Sequence, residues 1–156
     1  MYKPLSAAAV LAVLALGAPP QETAHLKIAT SVTPETTKAG GTVALAVDVT
    51  PKPGMHVYAP GQDGYIAISV KIDPQPAFST TGKPKYPEPE KVVMPAINET
   101  QLVYDKPFRI TQDITVAKPG SGPLTVKGSI HYQACNDKIC FLPTTIPVAW
   151  TINPAR

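Results

Sequence analysis

The stretch LTVKGSIHYQACNDKICFLPTTIPVAWTI, residues 124–152, decides how this chain folds. Leu124, Val126, Ile130 and Tyr132 place apolar side chains on every second position of its first arm. Ile146, Val148, Trp150 and Ile152 do the same in its second arm. Period-two alternation is the mark of a strand with one buried face and one wet face. Asn136 and Asp137 lie between the arms and favour a turn, so the stretch reads as a β-hairpin. Its tip carries Cys135 and Cys140, the two cysteines of the chain. They are expected to face each other there, because directly opposed, non-hydrogen-bonded residues of a hairpin lie at a separation that a disulfide can span. By parity Cys135 goes with His131 and Gln133, on the face opposite the even-numbered apolar residues.

The same alternation recurs outward from the hairpin. It runs through Leu26, Ile28 and Val32, through Val43, Leu45, Val47 and Val49, through Ile66, Ile68, Val70 and Ile72, and through Phe108, Ile110, Ile114 and Val116. Turn residues separate the runs at Ala39-Gly40-Gly41, Pro51-Lys52-Pro53-Gly54, Gly61-Gln62-Asp63-Gly64 and Lys118-Pro119-Gly120-Ser121-Gly122-Pro123. Six or more short strands at this spacing predict an all-β, immunoglobulin-like sandwich, with a small barrel as the alternative. The 19 prolines argue against long helices. Residues 73–106, with KPKYPEPEKVVMP at their centre, lack clean alternation. They read as a long excursion, either a functional loop or a proline-stiffened crossover.

A chain of 156 residues suits one domain with a true core. Its first residues hold Lys3, an uncharged apolar run from Ser6 to Leu16, and small residues at Gly17 and Ala18. The run is too short to span a bilayer comfortably. The expectation is a cleaved secretory signal over residues 1–18 and a single mature domain over 19–156, in the periplasm or otherwise exported. Outside the cytosol a close cysteine pair is oxidised by default.

Several functions are excluded or disfavoured. Without Lys or Arg clusters, and with a net charge of only +3, nucleic acid is not an expected partner. The chain has no GxSxG, no HExxH and no glycine-rich phosphate loop. The cysteines with His131 could hold copper or zinc, and Met55, His56 and Met94 are scattered soft donors. With no second cysteine pair, surface histidines and core methionines are the commoner explanation, and no metal is expected. A disulfide closing so short a loop contributes about 2 kcal/mol by chain entropy. Spacing alone therefore leaves a structural staple and a redox pair both open. Lys138 beside the pair reads as a solvated loop charge.

Tyr132-Gln133-Ala134-Cys135, four residues, then Cys140-Phe141-Leu142-Pro143 resembles the N-terminal periplasmic domain of the thiol:disulfide interchange protein DsbD. Pro53-Gly54-Met55-His56-Val57-Tyr58 is similar to the family's segment after its second strand, in which an aromatic residue or His precedes a Tyr by two positions, and Val103-Tyr104-Asp105 falls where the family has its cap loop. The resemblance implies an immunoglobulin-like sandwich and a cofactor-free redox relay between thioredoxin-fold proteins. The donor would be a membrane reductase or its thioredoxin-like domain. The acceptor would be a disulfide isomerase or a cytochrome c maturation reductase. It also implies that Cys140 forms the mixed disulfide and Cys135 resolves it, with His56, Tyr58, Leu102, Val103, Tyr104 and Phe141 as walls or partner-binding residues of a monomeric domain. The chain departs from the family in three ways. It ends at Arg156 without a membrane or thioredoxin domain, so a donor is expected to act in trans. Leu102 and Val103 stand nearest to the shielding Phe of the family's cap. A single proline, Pro143, follows the second cysteine where a double proline is common.

Overall fold

The computed structural model describes residues 19–117 and 120–155. The expected leader, residues 1–18, lies outside them, as do Lys118 and Pro119 of the last turn signal and Arg156. In chain order the strands are β1 (Gln21–Glu22), β2 (Leu26–Thr33), β3 (Thr36–Thr37), β4 (Thr42–Pro51), β5 (His56–Tyr58), β6 (Ser69–Ile72) and β7 (Phe78–Lys85). They continue with β8 (Glu90–Met94), β9 (Glu99–Tyr104), β10 (Phe108–Val116), β11 (Leu124–Tyr132), β12 (Ala134–Cys135) and β13 (Thr144–Pro154). A single 3-10 turn, Pro95–Ile97, joins β8 to β9, and no α-helix occurs among the described residues.

These strands form an immunoglobulin-like β-sandwich. One sheet has the order β1-β2-β4-β10-β7 and the facing sheet β3-β13-β11-β6. The apolar parity of each strand explains which face turns inward. Val43, Leu45, Val47 and Val49 of β4 and Ile110 and Ile114 of β10 are buried against Val126, Ile130, Tyr132, Val148, Trp150 and Ile152 of β11 and β13. The layers are tied by polar bonds as well: Trp150 Nε1 donates to the Ala46 carbonyl at 2.8 Å, and Thr30 Oγ1 to the Ala149 carbonyl at 2.8 Å. Gly128 of β11 is required by close approach. A Cβ there would lie 2.4 Å from the Lys71 carbonyl of β6 and 3.1 Å from the Trp150 ring.

Two segments depart from their period-two reading. The run from Ile66 to Ile72 enters its ladder only at Ser69. Ile68 is buried, but its N–H bonds the Tyr58 carbonyl at 2.8 Å, outside the β6–β11 pairing, and Ile66 is exposed. Residues 73–106 are not an irregular excursion: they contain β7, β8 and β9. β7 is the edge of the first sheet and is mostly exposed, so it carries no alternation and tolerates Pro84. β8 is exposed along its whole length and is likewise an edge.

β8 and β9 belong to a third, small sheet of order β12-β5-β9-β8, which carries the cysteines. Apart from the exposed edge β8, its strands meet apolar residues on both faces. Val57 of β5, Leu102 and Tyr104 of β9 and Ala134 of β12 turn towards the main core, while Tyr58, Val103 and Cys135 form a second apolar cluster with Tyr65 on the opposite side.

Candidate functional site

β11 and β13 pair as far as Tyr132 with Thr144, and there the hairpin leaves its ladder. Ala134 and Cys135 turn away to become β12 and pair with β5, Ala134 opposite Val57 and Cys135 opposite His56. The tip then closes on itself. Asn136 N donates to the Ile139 carbonyl at 2.9 Å and Phe141 N to the Ala134 carbonyl at 2.8 Å. These bonds bracket Cys135 and Cys140, which therefore occupy a non-hydrogen-bonded antiparallel position, as their spacing implies. They are joined as a disulfide, with an S–S distance of 2.02 Å and Cα atoms 4.0 Å apart. Asn136 caps the turn: its Oδ1 accepts from Lys138 N at 2.9 Å and Ile139 N at 2.8 Å.

The parity of Cys135 holds, but the inference of a wet face does not. Cys135 is only 1% exposed although it lies opposite the core-facing Ala134, because the small sheet has a second cluster on its outer side. Cys140 is exposed. The bond thus joins one buried and one accessible sulfur.

Beside it runs a groove of about 550 Å³. Its walls include His56, Tyr58, Tyr65 and Val103, with both cysteines on one side. Val92 and Met94 of β8, Ile97 of the turn after it and the tip loop from Asn136 to Ile139 also line it. The Tyr58 hydroxyl lies 3.8 Å from Cys140 Sγ. Its ring is stacked on Tyr65 at 4.2 Å and meets the His56 ring edge-on at 5.6 Å. Burial, with smaller contributions from Tyr65 and Glu99, pushes the Tyr58 hydroxyl up to about 12, so it stays protonated beside the sulfur at neutral pH. Tyr65 is held by its own bonds, donating to Glu99 Oε2 at 3.4 Å and accepting from Gln101 Nε2 at 3.1 Å. Gln62 ties this network to the backbone, its Oε1 accepting from Leu102 N at 2.6 Å.

His56 Nε2 is buried and has no hydrogen-bond partner among the described residues. Burial lowers the imidazole below its ordinary 6.5, against an opposing pull from Asp105. The sign follows from linkage: between the two values the unfolded chain binds a proton that the folded domain refuses. Stability is therefore present above pH 6.5 and declines as pH falls below it. The melting temperature of the oxidised domain is expected to drop as pH is lowered from 7 towards 5, and His56→Phe is expected to flatten that drop. Scanning fluorimetry across the range checks it; an equal drop in both proteins would contradict it.

Of the residues singled out from sequence, the structure brings Cys135, Cys140, His56, Tyr58 and Val103 to the groove. Leu102, Tyr104 and Phe141 lie elsewhere. Leu102 and Tyr104 alternate to the opposite face of β9, where Tyr104 stacks on Phe108 at 4.1 Å and its hydroxyl donates to the Pro87 carbonyl at 2.7 Å. Phe141 packs on the core with His25, their rings 4.3 Å apart. The sequence reading missed Tyr65 and Gln101. Gln101 shares the parity of Val103 and was open to that reasoning, whereas Tyr65 follows Gly64 in a loop that has no periodicity. Met55 and Met94, distant in sequence, both line the groove. His131 does not; its Nδ1 is 2.7 Å from Thr145 Oγ1 on the hairpin. Among the described residues no group of three or more His, Cys, Asp or Glu side chains is arranged to hold a metal ion.

No curated protein matches this chain. Among solved structures, the reduced DsbD N-terminal domain of Neisseria meningitidis is similar at 21% identity and a TM-score of 0.47, over 70% of this chain and 78% of that one. The complex between the DsbD N-terminal and PilB N-terminal domains of the same organism matches at 19% identity and a TM-score of 0.47, over 68% of this chain and 73% of that one. The N-terminal periplasmic domain of ScsB from Proteus mirabilis matches at 12% identity and a TM-score of 0.49, over 84% of this chain and 47% of that one. The family described as thiol:disulfide interchange protein DsbD, N-terminal, matches residues 23–150, which include every strand that builds the groove and both cysteines. This chain belongs to that DsbD N-terminal domain family.

Proposed function

We propose that this domain is exported and relays reducing equivalents between thioredoxin-fold proteins through reversible opening of the Cys135–Cys140 disulfide. The observation that carries the reading is the asymmetry of the pair: Cys140 is exposed at the groove and Cys135 is buried beneath it. In the reduced domain the Cys140 thiolate attacks one sulfur of a partner's disulfide. A Cys140–partner disulfide forms and the partner's other sulfur leaves as a thiolate. The Cys135 thiolate then attacks Cys140 Sγ, closes the intramolecular disulfide and expels the second partner thiolate. Two electrons pass to the partner, and the steps reversed against a donor dithiol restore the reduced domain. Sulfur alone carries the electrons, so the exchange requires no cofactor.

Partner docking falls naturally on the apolar residues that surround the exposed sulfur. Val92, Met94, Ile97 and Ile139 border the groove, and Leu142, 87% exposed, follows Cys140. By family, the donor is a membrane reductase or its thioredoxin-like domain, and the acceptor a disulfide isomerase or a cytochrome c maturation reductase. Residues 1–18 serve as the leader that brings the monomeric domain to them.

The reduction potential of the Cys135–Cys140 couple tests the proposal. A relay couple is expected at about −180 to −270 mV, where thioredoxin-like proteins exchange electrons. A value well below about −300 mV identifies a structural staple and overturns the reading.

A further inference from the structure

We infer that His56 accepts the proton of the Cys135 thiol in the step that closes the disulfide, an inference that rests on the relay reading. Cys135 is nearly inaccessible to water, and a docked partner would cover it further. A buried thiol ionises reluctantly, yet only the thiolate attacks. The residue directly across the β5–β12 ladder is His56. Side chains of such a pair share one face, with Cβ atoms about 5 Å apart, and both residues line the same groove. His56 Nε2 is buried, and among the described residues its hydrogen-bonding capacity is unused. A buried nitrogen without a partner carries a desolvation cost unless another state of the protein supplies one. The Cys135 S–H, absent from the disulfide and present after reduction, is such a partner.

The other groups facing His56 fit the role. Burial keeps the imidazole neutral at pH 7 and thus able to accept. Tyr58, edge-on to it, keeps its own proton. Asp105, at the end of β9, favours the imidazolium once it forms. Asp137 and Lys138 reach the groove from the tip loop, and from β8 come only the apolar Val92 and Met94. The step balances: the thiol proton moves to His56, the Cys135–Cys140 bond forms, and the partner sulfur leaves with the electron pair of the bond that breaks. In reverse, the imidazolium returns its proton to Cys135 as a donor thiolate opens the bond at Cys140.

The test is the reaction of the reduced domain with 5,5′-dithiobis(2-nitrobenzoate). Attack by Cys140 releases one coloured thiolate, and closure by Cys135 releases the second. His56→Phe is expected to slow the second phase much more than the first, by about a hundredfold at pH 7, the low end for a positioned general base. The defect should shrink as pH rises and the thiol ionises unaided. His56→Gln, which keeps a polar side chain without the basicity, should behave alike and serves if the Phe variant does not fold. Second phases equal to wild type, or a slowing that is the same at every pH, would overturn the inference. If the wild type releases only one thiolate, the relay reading itself fails; two thiolates without dependence on His56 defeat only this inference.

Discussion

Cys135→Ala is expected to stall as a mixed disulfide with a disulfide-bearing thioredoxin-fold protein, and Cys140→Ala to form almost none. The difference follows from where the fold puts the two sulfurs. In Cys135→Ala the remaining thiol is the exposed one, so an incoming disulfide can be attacked; with the resolving sulfur gone, the adduct persists. In Cys140→Ala the remaining thiol is Cys135, enclosed by Tyr58, Val103 and Tyr65. A partner can reach it only if the small sheet opens. A local opening cost of about 3 kcal/mol, well within the range for sub-global unfolding, makes the reaction more than hundredfold slower. Non-reducing gels and mass spectrometry of the adduct read the outcome. Equal trapping by both variants would show that burial does not govern which sulfur reacts, and would remove the support on which the assignment of roles stands.

Legibility from the sequence follows the way each strand is covered. β4, β10, β11 and β13 bury one face and wet the other, so their apolar parity is written in the chain and predicts both strand and orientation. β8, and β7 beyond Phe78, are exposed edges with little to bury, and their alternation vanishes with the burial that would have produced it. The remaining strands of the small sheet, β5, β9 and β12, fail in the opposite way. With apolar contacts on both faces, parity still places Leu102 and Tyr104 opposite Val103, and Ala134 opposite Cys135, but it no longer reports which side is water. That is why Cys135 reads as outward and is buried, and why three consecutive residues of β9, only one of which meets the groove, are grouped together as walls. The cysteine hairpin was legible because its geometry is local: a four-residue turn capped by Asn136 brings the two sulfurs together without help from the rest of the chain. Tyr65 and Gln101 could enter the site only through contacts that the folded sheets create.

Trp150→Ala should destabilise the domain more than complete reduction of its disulfide does. Trp150 is buried to 2% exposure between the layers, and its Nε1 donates to the Ala46 carbonyl at 2.8 Å. Truncating a buried aromatic side chain of this size costs about 3–5 kcal/mol, to which the stranded carbonyl of β4 adds. The disulfide joins residues only five apart in sequence, at the tip of a hairpin whose arms are already paired over nine positions. Its entropic contribution is about 2 kcal/mol. Against a total stability of about 5–15 kcal/mol, the first change consumes much of the margin and the second leaves a folded domain. Urea unfolding followed by far-UV circular dichroism, with and without reductant, is expected to show a cooperative transition for the reduced wild type at a midpoint above that of oxidised Trp150→Ala. Loss of the transition on reduction would mean that the bond maintains the fold, and a domain that unfolds whenever its cysteines are reduced cannot cycle between them. A relay needs the two states to differ at the tip and agree in the core. The sandwich meets that need because its stability lies in the Trp150 layer, and the cysteines occupy the one part of the hairpin that has left it.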